Sequence, residues 1–260
     1  MPKASRRSPL RATPLRHAGD SVQDEIDHWR EGVFLDRLVV VLIVLSMWTT
    51  ALIQLLFPTA PRVSFAVMSV ILIAALMWSI PAMVRALTII KRLRLGRDGE
   101  RAVAEYLELV AQDGFRVVHD LRGDGFNIDH VLVGTQGVFT IETKTLSKPL
   151  LGDVRVRYDG ATIHVDGVPL DRDPLVQARA QAAWLRRRLE DLTGQRYPIR
   201  SVVVFPGWFV ERTQAAASSP IWVLEPKELR GWLSREPHML PRHAVHLIVD
   251  RLKKLARYGT

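Results

Sequence analysis

Two long uncharged apolar runs, separated by five residues, constrain the fold of this chain most strongly. The first run covers residues 38–57 and the second covers residues 63–84. At a helical rise of about 1.5 Å per residue, about 20 residues cross the ~30 Å hydrocarbon core of a bilayer. Pro58 and Pro61 lie in the short link and stop both helices. The pattern therefore predicts a two-helix transmembrane hairpin over residues 38–84.

A buried core helix or a signal peptide would also give one apolar run. Two such runs in succession argue against a core helix, and a first run that begins only at residue 38 argues against a signal peptide. Arg30 and Arg37 precede the first run and Arg85 and Lys91 follow the second, whereas the link contains only Arg62. Because positive charge favours the cytoplasmic side, we expect a multi-pass plasma-membrane protein with both termini and the soluble domain in the cytoplasm.

The net charge of +9 is distributed unevenly along the chain. Residues 1–97 carry 13 Lys and Arg against 6 Asp and Glu, whereas residues 98–260 carry 23 against 21. The excess thus lies beside the apolar runs, where anionic lipid attracts it, and it indicates little about DNA binding. Residues 1–37 are predicted to be a disordered basic arm and juxtamembrane segment, with a short amphipathic helix or a solvated linker from residue 20. Residues 85–97 are predicted to be a basic linker.

The absence of cysteine excludes disulfides and thiolate metal sites. Beyond residue 98 the hydrophobic periodicity and the turn residues predict one soluble domain. Asp173 is the expected N-cap of its long helix and Pro174 the first helical residue. The predicted elements are a helix at 98–111, strands at 115–121, 127–133, 138–144, 154–158 and 161–165, a helix at 174–192, strands at 199–205 and 221–224, and helices at 226–234 and 242–258. This order predicts an α/β (α+β) fold in which helices flank a mixed sheet.

Acidic side chains fall on neighbouring elements of this domain. Glu142 and Lys144 are two residues apart on a strand and share one face, and Asp129 reaches the same edge if the two strands pair antiparallel. Glu100 points toward the apolar side of its helix, where a carboxylate needs a partner or a metal. Such oxygen ligands suit Mg²⁺, which would polarise a phosphodiester. Lys144 would then orient the attacking water or stabilise charge on the phosphate.

Glu142, Lys144 and Glu100 also have simpler interpretations. Glu-x-Lys is common by chance, so that Glu142 and Lys144 could form an exposed ion pair on an edge strand. Glu100 could be a solvated first-turn glutamate that the helix dipole favours. The residues alone leave both interpretations open.

Several motifs in order resemble the nuclease-related domain (NERD) family. They are Gly99-Glu100, Asn127-Ile128-Asp129-His130-Val131, Gly137-Val138-Phe139, Ile141-Glu142-Thr143-Lys144, and Asp173-Pro174 followed by Gln177. Their order and spacing match the family over roughly residues 96–205. The family often has an aromatic residue and a glycine shortly after the lysine, where this chain has Leu146, Ser147 and Lys148, so local substrate contacts are expected to differ.

The resemblance implies a restriction-endonuclease-like PD-(D/E)xK fold for residues 98–260 and metal-dependent cleavage of nucleic acid. Glu100, Asp129, Glu142 and Lys144 match the family's active-site positions, and Gln177 matches its helix glutamine beside the metal. By this resemblance Asp129, Glu142 and Glu100 would bind Mg²⁺ or Mn²⁺.

These observations predict a membrane-anchored, metal-dependent nuclease, with DNA as the expected substrate and the lipid bilayer as a second partner. The alternative is a non-catalytic module on the same fold that binds nucleic acid or a protein near the membrane. A scaffold or sensor at the cell envelope is a third possibility, which only the anchor supports.

Overall fold

A computed structural model of the chain describes residues 16–57, 65–148, 155–165, 170 and 172–258. The described elements are α1 (Asp20–His28), a π-helical segment (Trp29–Leu35), α2 (Asp36–Leu56), α3 (Phe65–Gln112), β1 (Arg116–Arg122), β2 (Asn127–Gly134), β3 (Gly137–Thr143), β4 (Val156–Tyr158), β5 (Ile163–Val165), α4 (Pro174–Thr193), β6 (Ile199–Val204), β7 (Val210–Arg212), a 3-10 turn (Gln214–Ser218), β8 (Ile221–Leu224), a second 3-10 turn (Pro226–Glu228), α5 (Leu229–Leu233) and α6 (Arg242–Tyr258). They form two compact units, which divide at residues 20/21 and 95/96. One unit is residues 21–95, and the other combines the residues before 21 with those from 96 onward.

The unit of residues 21–95 contains the apolar helices. Two helices in the described part of the chain are long and apolar enough to cross a membrane, and most of their large apolar side chains are exposed. Trp48 Nε1 donates a hydrogen bond to Ser69 Oγ at 2.9 Å, and the Arg37 guanidinium lies 3.3 Å from the Trp78 ring centroid. These contacts hold α2 beside the apolar part of α3. The predicted turn at residues 58–62 lies outside the described residues.

Helix α3 is continuous over 48 residues. The sequence predicted a transmembrane helix that ends at residue 84 and a second helix that begins at residue 98, but residues 85–97 are helical as well. Lysine, arginine and leucine all favour the helix, and no proline interrupts this stretch. The clustered charge therefore marks the end of the apolar run and not the end of the helix.

The central sheet of the second unit has five strands in the order β1-β2-β3-β6-β8. β1, β2 and β3 pair antiparallel as a meander, whereas β3–β6 and β6–β8 pair parallel. A smaller sheet has the order β5-β4-β7. The predicted mixed sheet flanked by helices, which follows two long apolar helices, is confirmed. The sequence analysis missed β7, which has only three residues.

Helices cover both faces of the central sheet. On one face α4 and α6 contribute Leu185 and Ile248 to a core with Ile128. On the other face the C-terminal part of α3 and α5 bury Leu107 and Leu229 against β2, β3, β6 and β8. This packing places the segment of α3 around Glu100, the end of β3 and the first turns of α4 around one end of the sheet.

The ends of α4 are specified locally, as the sequence predicts. The Asp173 side chain accepts a hydrogen bond from the Leu175 N–H at 2.8 Å, Pro174 is in the first turn, and Gly194 ends the helix with a left-handed conformation (φ +70°). Fixing the start of α4 fixes the face of its first two turns, which carries Gln177 and, one turn later, Gln181.

Candidate active site

Glu142 and Lys144 meet at the end of β3. The Glu142 side chain is buried, at 3% exposure, and its Oε1 lies 2.8 Å from Lys144 Nζ. Lys144 Nζ also donates a hydrogen bond to Gln177 Oε1 at 2.8 Å. The ammonium group therefore bridges the sheet and α4, with Glu142 on one side and Gln177 on the other.

Asp129 reaches this site from the neighbouring strand. Because β2 and β3 pair antiparallel from Gly134↔Gly137 to His130↔Ile141, Asp129 lies beside the last residues of β3. Its Oδ2 accepts a hydrogen bond from the Thr143 N–H at 2.6 Å. This bond fixes the carboxyl group next to the strand segment that carries Glu142 and Lys144.

Glu100 enters the site from α3 and is 9% exposed. The preceding Gly99 allows the helix to lie close to the chain that follows β3, since a Cβ on Gly99 would stand 1.7 Å from Thr145 Oγ1. The N–H of Gly19, in the segment before α1, donates a hydrogen bond to the Glu100 carboxyl group.

The carboxyl groups disturb each other electrostatically. Burial is the main cause that raises the pKa of Glu100 to about 7, and the negative charges of Asp120 and Glu142 add to it. Burial, followed by the charges of Glu142 and Glu100, raises the pKa of Asp129 well above its ordinary value. Lys144 opposes both shifts, but less than burial and the neighbouring carboxylates promote them. The site thus carries more negative charge than its own cation balances.

The structure brings together all five residues that the sequence proposed for the site, Glu100, Asp129, Glu142, Lys144 and Gln177. Their catalytic and metal-binding roles remain predictions. They lie on α3, β2, the end of β3 and α4, and are up to 77 positions apart in the sequence. The strand pairing and the close approach that Gly99 allows produce this convergence.

The donor chemistry of the site fits a hard divalent cation. Three carboxyl groups provide oxygen ligands, and their crowding favours a cation between them. Within the described residues, no three His, Asp or Glu side chains lie in an arrangement that could hold a metal ion as the structure stands. Lys144 and the Thr143 N–H each occupy one of the carboxylate oxygens. If the site binds an ion, Asp129, Glu142 and Glu100 are the residues that would hold it, once the contacts of Lys144 and the Thr143 N–H are rearranged.

The sequence analysis missed Gln181, which holds Glu142 in place. Gln181 is 1% exposed, and its Nε2 donates hydrogen bonds to Glu142 Oε2 at 2.6 Å and to the Asn127 carbonyl at 2.8 Å. Its Oε1 is buried without a hydrogen-bond partner among the described residues. The available signal was the spacing of four from Gln177, which puts both amides on one face of α4.

Asp120 is the other residue near the site that the sequence analysis did not select, and it is acidic. It is 1% exposed, has a left-handed backbone conformation (φ +49°) and forms an ion pair with the Arg16 guanidinium. The β1–β2 register places it between His119↔His130 and Leu121↔Ile128. Asp120 raises the pKa of Glu100, so it adds to the negative charge of the site.

The histidine pair on β1 and β2 is separate from this cluster. His119 Nδ1 and His130 Nδ1 lie 2.9 Å apart, and His130 is fully buried. Burial, followed by the charge of His119, holds the pKa of His130 well below its ordinary value. His130 follows Asp129 on the strand and points to the opposite face, so the pair is part of the packing between β1 and β2.

Comparison with known protein families gives a match that covers this site. Residues 95–206 match the model of the family described as the nuclease-related domain, NERD. The match includes Glu100, the strands that carry Asp129 and Glu142, and all of α4, and it supports assignment of this part of the chain to that family. No curated protein and no solved structure matches the chain.

Proposed function

We propose that this chain is a membrane-anchored, Mg²⁺- or Mn²⁺-dependent nuclease that hydrolyses phosphodiester bonds in DNA. The convergence of Glu100, Asp129, Glu142 and Lys144 at one end of the sheet carries the proposal. The match of residues 95–206 to the nuclease-related domain supports the same function. A mixed sheet with these residues at one end of its central strand also agrees with the PD-(D/E)xK superfamily.

The three carboxylates are proposed to hold the metal and Lys144 to act on the reacting groups. A bound divalent cation would supply Lewis-acid activation of water and of the phosphodiester. The Lys144 ammonium would orient the attacking water or stabilise charge on the scissile phosphate. Gln177 would position Lys144 through its 2.8 Å hydrogen bond, and Gln181 would position Glu142.

The raised pKa values indicate how the site changes when it is loaded. Without a cation, the pKa values of Glu100 and Asp129 are shifted toward the protonated forms, because ionisation would add charge to a buried, already negative cluster. A divalent cation offsets that charge, so cation binding would release protons. Proton release that accompanies Mg²⁺ binding is thus part of the proposed mechanism.

The two apolar helices support a membrane anchor at residues 38–84. Each has the length and the exposed apolar surface that a bilayer accommodates. The positive charges on the outer flanks of both helices favour cytoplasmic termini and a cytoplasmic nuclease domain in the plasma membrane.

A second candidate function is a non-catalytic binding module on the same fold. The ion pair between Lys144 and Glu142 favours it, because Lys144 already neutralises one proposed metal ligand. Such a module would bind nucleic acid or protein without cleaving a bond.

Cleavage assays with the full chain in detergent micelles separate the two candidates. Single- and double-stranded DNA and RNA are incubated with and without Mg²⁺, and the variants Asp129→Asn and Lys144→Met are compared with the exposed controls Asp191→Asn and Lys254→Met. We expect Mg²⁺-dependent cleavage of DNA that falls roughly 100-fold or more in both site variants and stays within about twofold in the controls. DNA binding without Mg²⁺-dependent cleavage by the unmodified chain would refute the nuclease and support the binding module.

A further inference from the structure

A pocket of ≈ 390 Å³ lies between the π-helical segment before α2 and the middle of α3, within the unit of residues 21–95. Half of its lining is cationic and half is apolar: Arg30, Lys91, Arg94, Phe34, Leu87 and Ile90. We propose that this pocket binds the headgroup phosphate of an anionic glycerophospholipid. The inference rests on the membrane insertion proposed above, but not on nuclease activity.

The α3 side of the pocket is one face of the helix. Leu87, Ile90, Lys91 and Arg94 follow the spacing 0, 3, 4 and 7, which aligns side chains along an α-helix. Along this face the side chains next to the apolar run are apolar, and those further from it are cationic. A molecule bound along it would meet hydrocarbon first and then positive charge, as the glycerol end and the phosphate of a lipid require.

The two cations of α3 are available to a ligand. Within the described parts of the chain, neither Lys91 nor Arg94 has a hydrogen bond or an ion pair, and both are exposed. Arg30 differs, because Asp27 and Glu31 hold its Nη2 at 3.0 Å each. Lys91 and Arg94 would therefore bind the phosphate, while Arg30 forms the fixed cationic wall opposite.

The depth of the pocket matches the headgroup layer. Lys91 is seven residues beyond Val84, the last residue of the second apolar run, or about 10 Å along the helix. The headgroup layer extends about 5–8 Å beyond the hydrocarbon core on each side, and a lysine side chain can reach back toward it. Phe34 lies four residues before the first apolar run, so both walls of the pocket come from the same side of the membrane.

The apolar lining favours a lipid over a free phosphate ion. Ile90 is buried at 5% exposure, whereas Leu87 is 51% exposed and leaves an apolar surface open beside the cations. An inorganic phosphate would use the cations alone and leave this surface against water. A glycerophospholipid would cover it with its glycerol and first acyl carbons.

The test uses the full chain in phosphatidylcholine nanodiscs that contain a minor fraction of phosphatidylglycerol, with retained lipids counted by native mass spectrometry. Lys91→Gln/Arg94→Gln removes the pocket cations. The matched control is Arg85→Gln/Arg92→Gln, which removes the same charge from the opposite face of the same helix. We expect the pocket variant to lose selective retention of phosphatidylglycerol by roughly 20-fold, at about fivefold for each cation that contacts the bound phosphate. The control should lose less than about twofold, because Arg85 and Arg92 lie across the helix, about a Debye length from that phosphate.

Three results would overturn the lipid site. They are equal retention of both lipids by the unmodified chain, equal losses in the two double variants, and displacement of phosphatidylglycerol by inorganic phosphate at similar concentration. Alkaline carbonate extraction checks the underlying proposal separately. Release of the chain into the soluble fraction would refute membrane insertion, whereas an inserted chain without lipid preference would refute only the pocket.

Discussion

Glu100→Gln is expected to stabilise the metal-free protein much more at pH 8 than at pH 5. The pKa of Glu100 is raised from 4.5 to about 7 in the folded protein. Below pH 4.5 both the folded and the unfolded chain carry the proton. Between pH 4.5 and 7 the unfolded chain loses the proton while the folded chain keeps it, so the free energy of unfolding falls as the pH rises. Above pH 7 the full penalty is present.

The shift corresponds to a penalty of about 3 kcal/mol above pH 7. Glutamine resembles the protonated glutamate, and its Oε1 can still accept the hydrogen bond from the Gly19 N–H. The variant removes the penalty without leaving a cavity, and it also removes a charge that raises the pKa of Asp129. We therefore expect a gain of roughly 2–3 kcal/mol at pH 8 and of less than about 1 kcal/mol at pH 5, because pH 5 lies only slightly above the unfolded pKa.

Urea unfolding of the full chain in detergent micelles, followed by tryptophan emission at both pH values with EDTA, measures this gain. Glu105→Gln is the matched control, because Glu105 is exposed on the same helix, and its effect should be small at both pH values. Saturating Mg²⁺ should reduce the advantage of Glu100→Gln, since a bound cation stabilises the ionised carboxylate. An equal effect at pH 5 and pH 8, or a loss of stability at pH 8, would refute the electrostatic reasoning.

Two further substitutions test how the site is held. Gly99→Ala should destabilise the protein by about 1–3 kcal/mol, because the new Cβ would stand 1.7 Å from Thr145 Oγ1. The gain in helix propensity, at most ~1 kcal/mol, cannot compensate for this clash. In thermal unfolding, adding Thr145→Ala should restore part of the lost stability, and a neutral Gly99→Ala variant would contradict the proposed close approach. Gln181→Leu should cost about 1–3 kcal/mol, because it removes donors to Glu142 and to the Asn127 carbonyl. In a cleavage assay it should lower kcat more than it raises KM, and unchanged kcat would exclude a positioning role.

The sheet could be predicted from sequence because its signals are local. β8 has the predicted bounds, β2 and β3 are within one residue of theirs at each end, and α4 has the expected N-cap and C-cap. The order of the strands in space and the parallel pairing of β3 with β6 were not predictable in the same way. They depend on which faces the helices bury, and periodicity does not show which element packs against which.

The candidate site was predictable where strand alternation applied and not where packing decided. Alternation put Glu142 and Lys144 on one face, and an antiparallel turn brought Asp129 beside them. Asp120 and Gln181 were missed because aspartate and glutamine side chains are usually solvated. Their burial depends on the left-handed backbone conformation of Asp120 within β1 and on the packing of α4 against the sheet, which the sequence does not show.

The most direct test of the account is Mn²⁺ binding to the metal-free full chain, followed by electron paramagnetic resonance. The account predicts one site that Asp129→Asn abolishes and that the exposed control Asp191→Asn leaves intact. It also predicts that Lys144→Met keeps or tightens binding while it abolishes cleavage, because Lys144 now competes for Glu142 Oε1 at 2.8 Å. Absence of Mn²⁺ binding, or binding that Asp129→Asn leaves unchanged, would contradict the account.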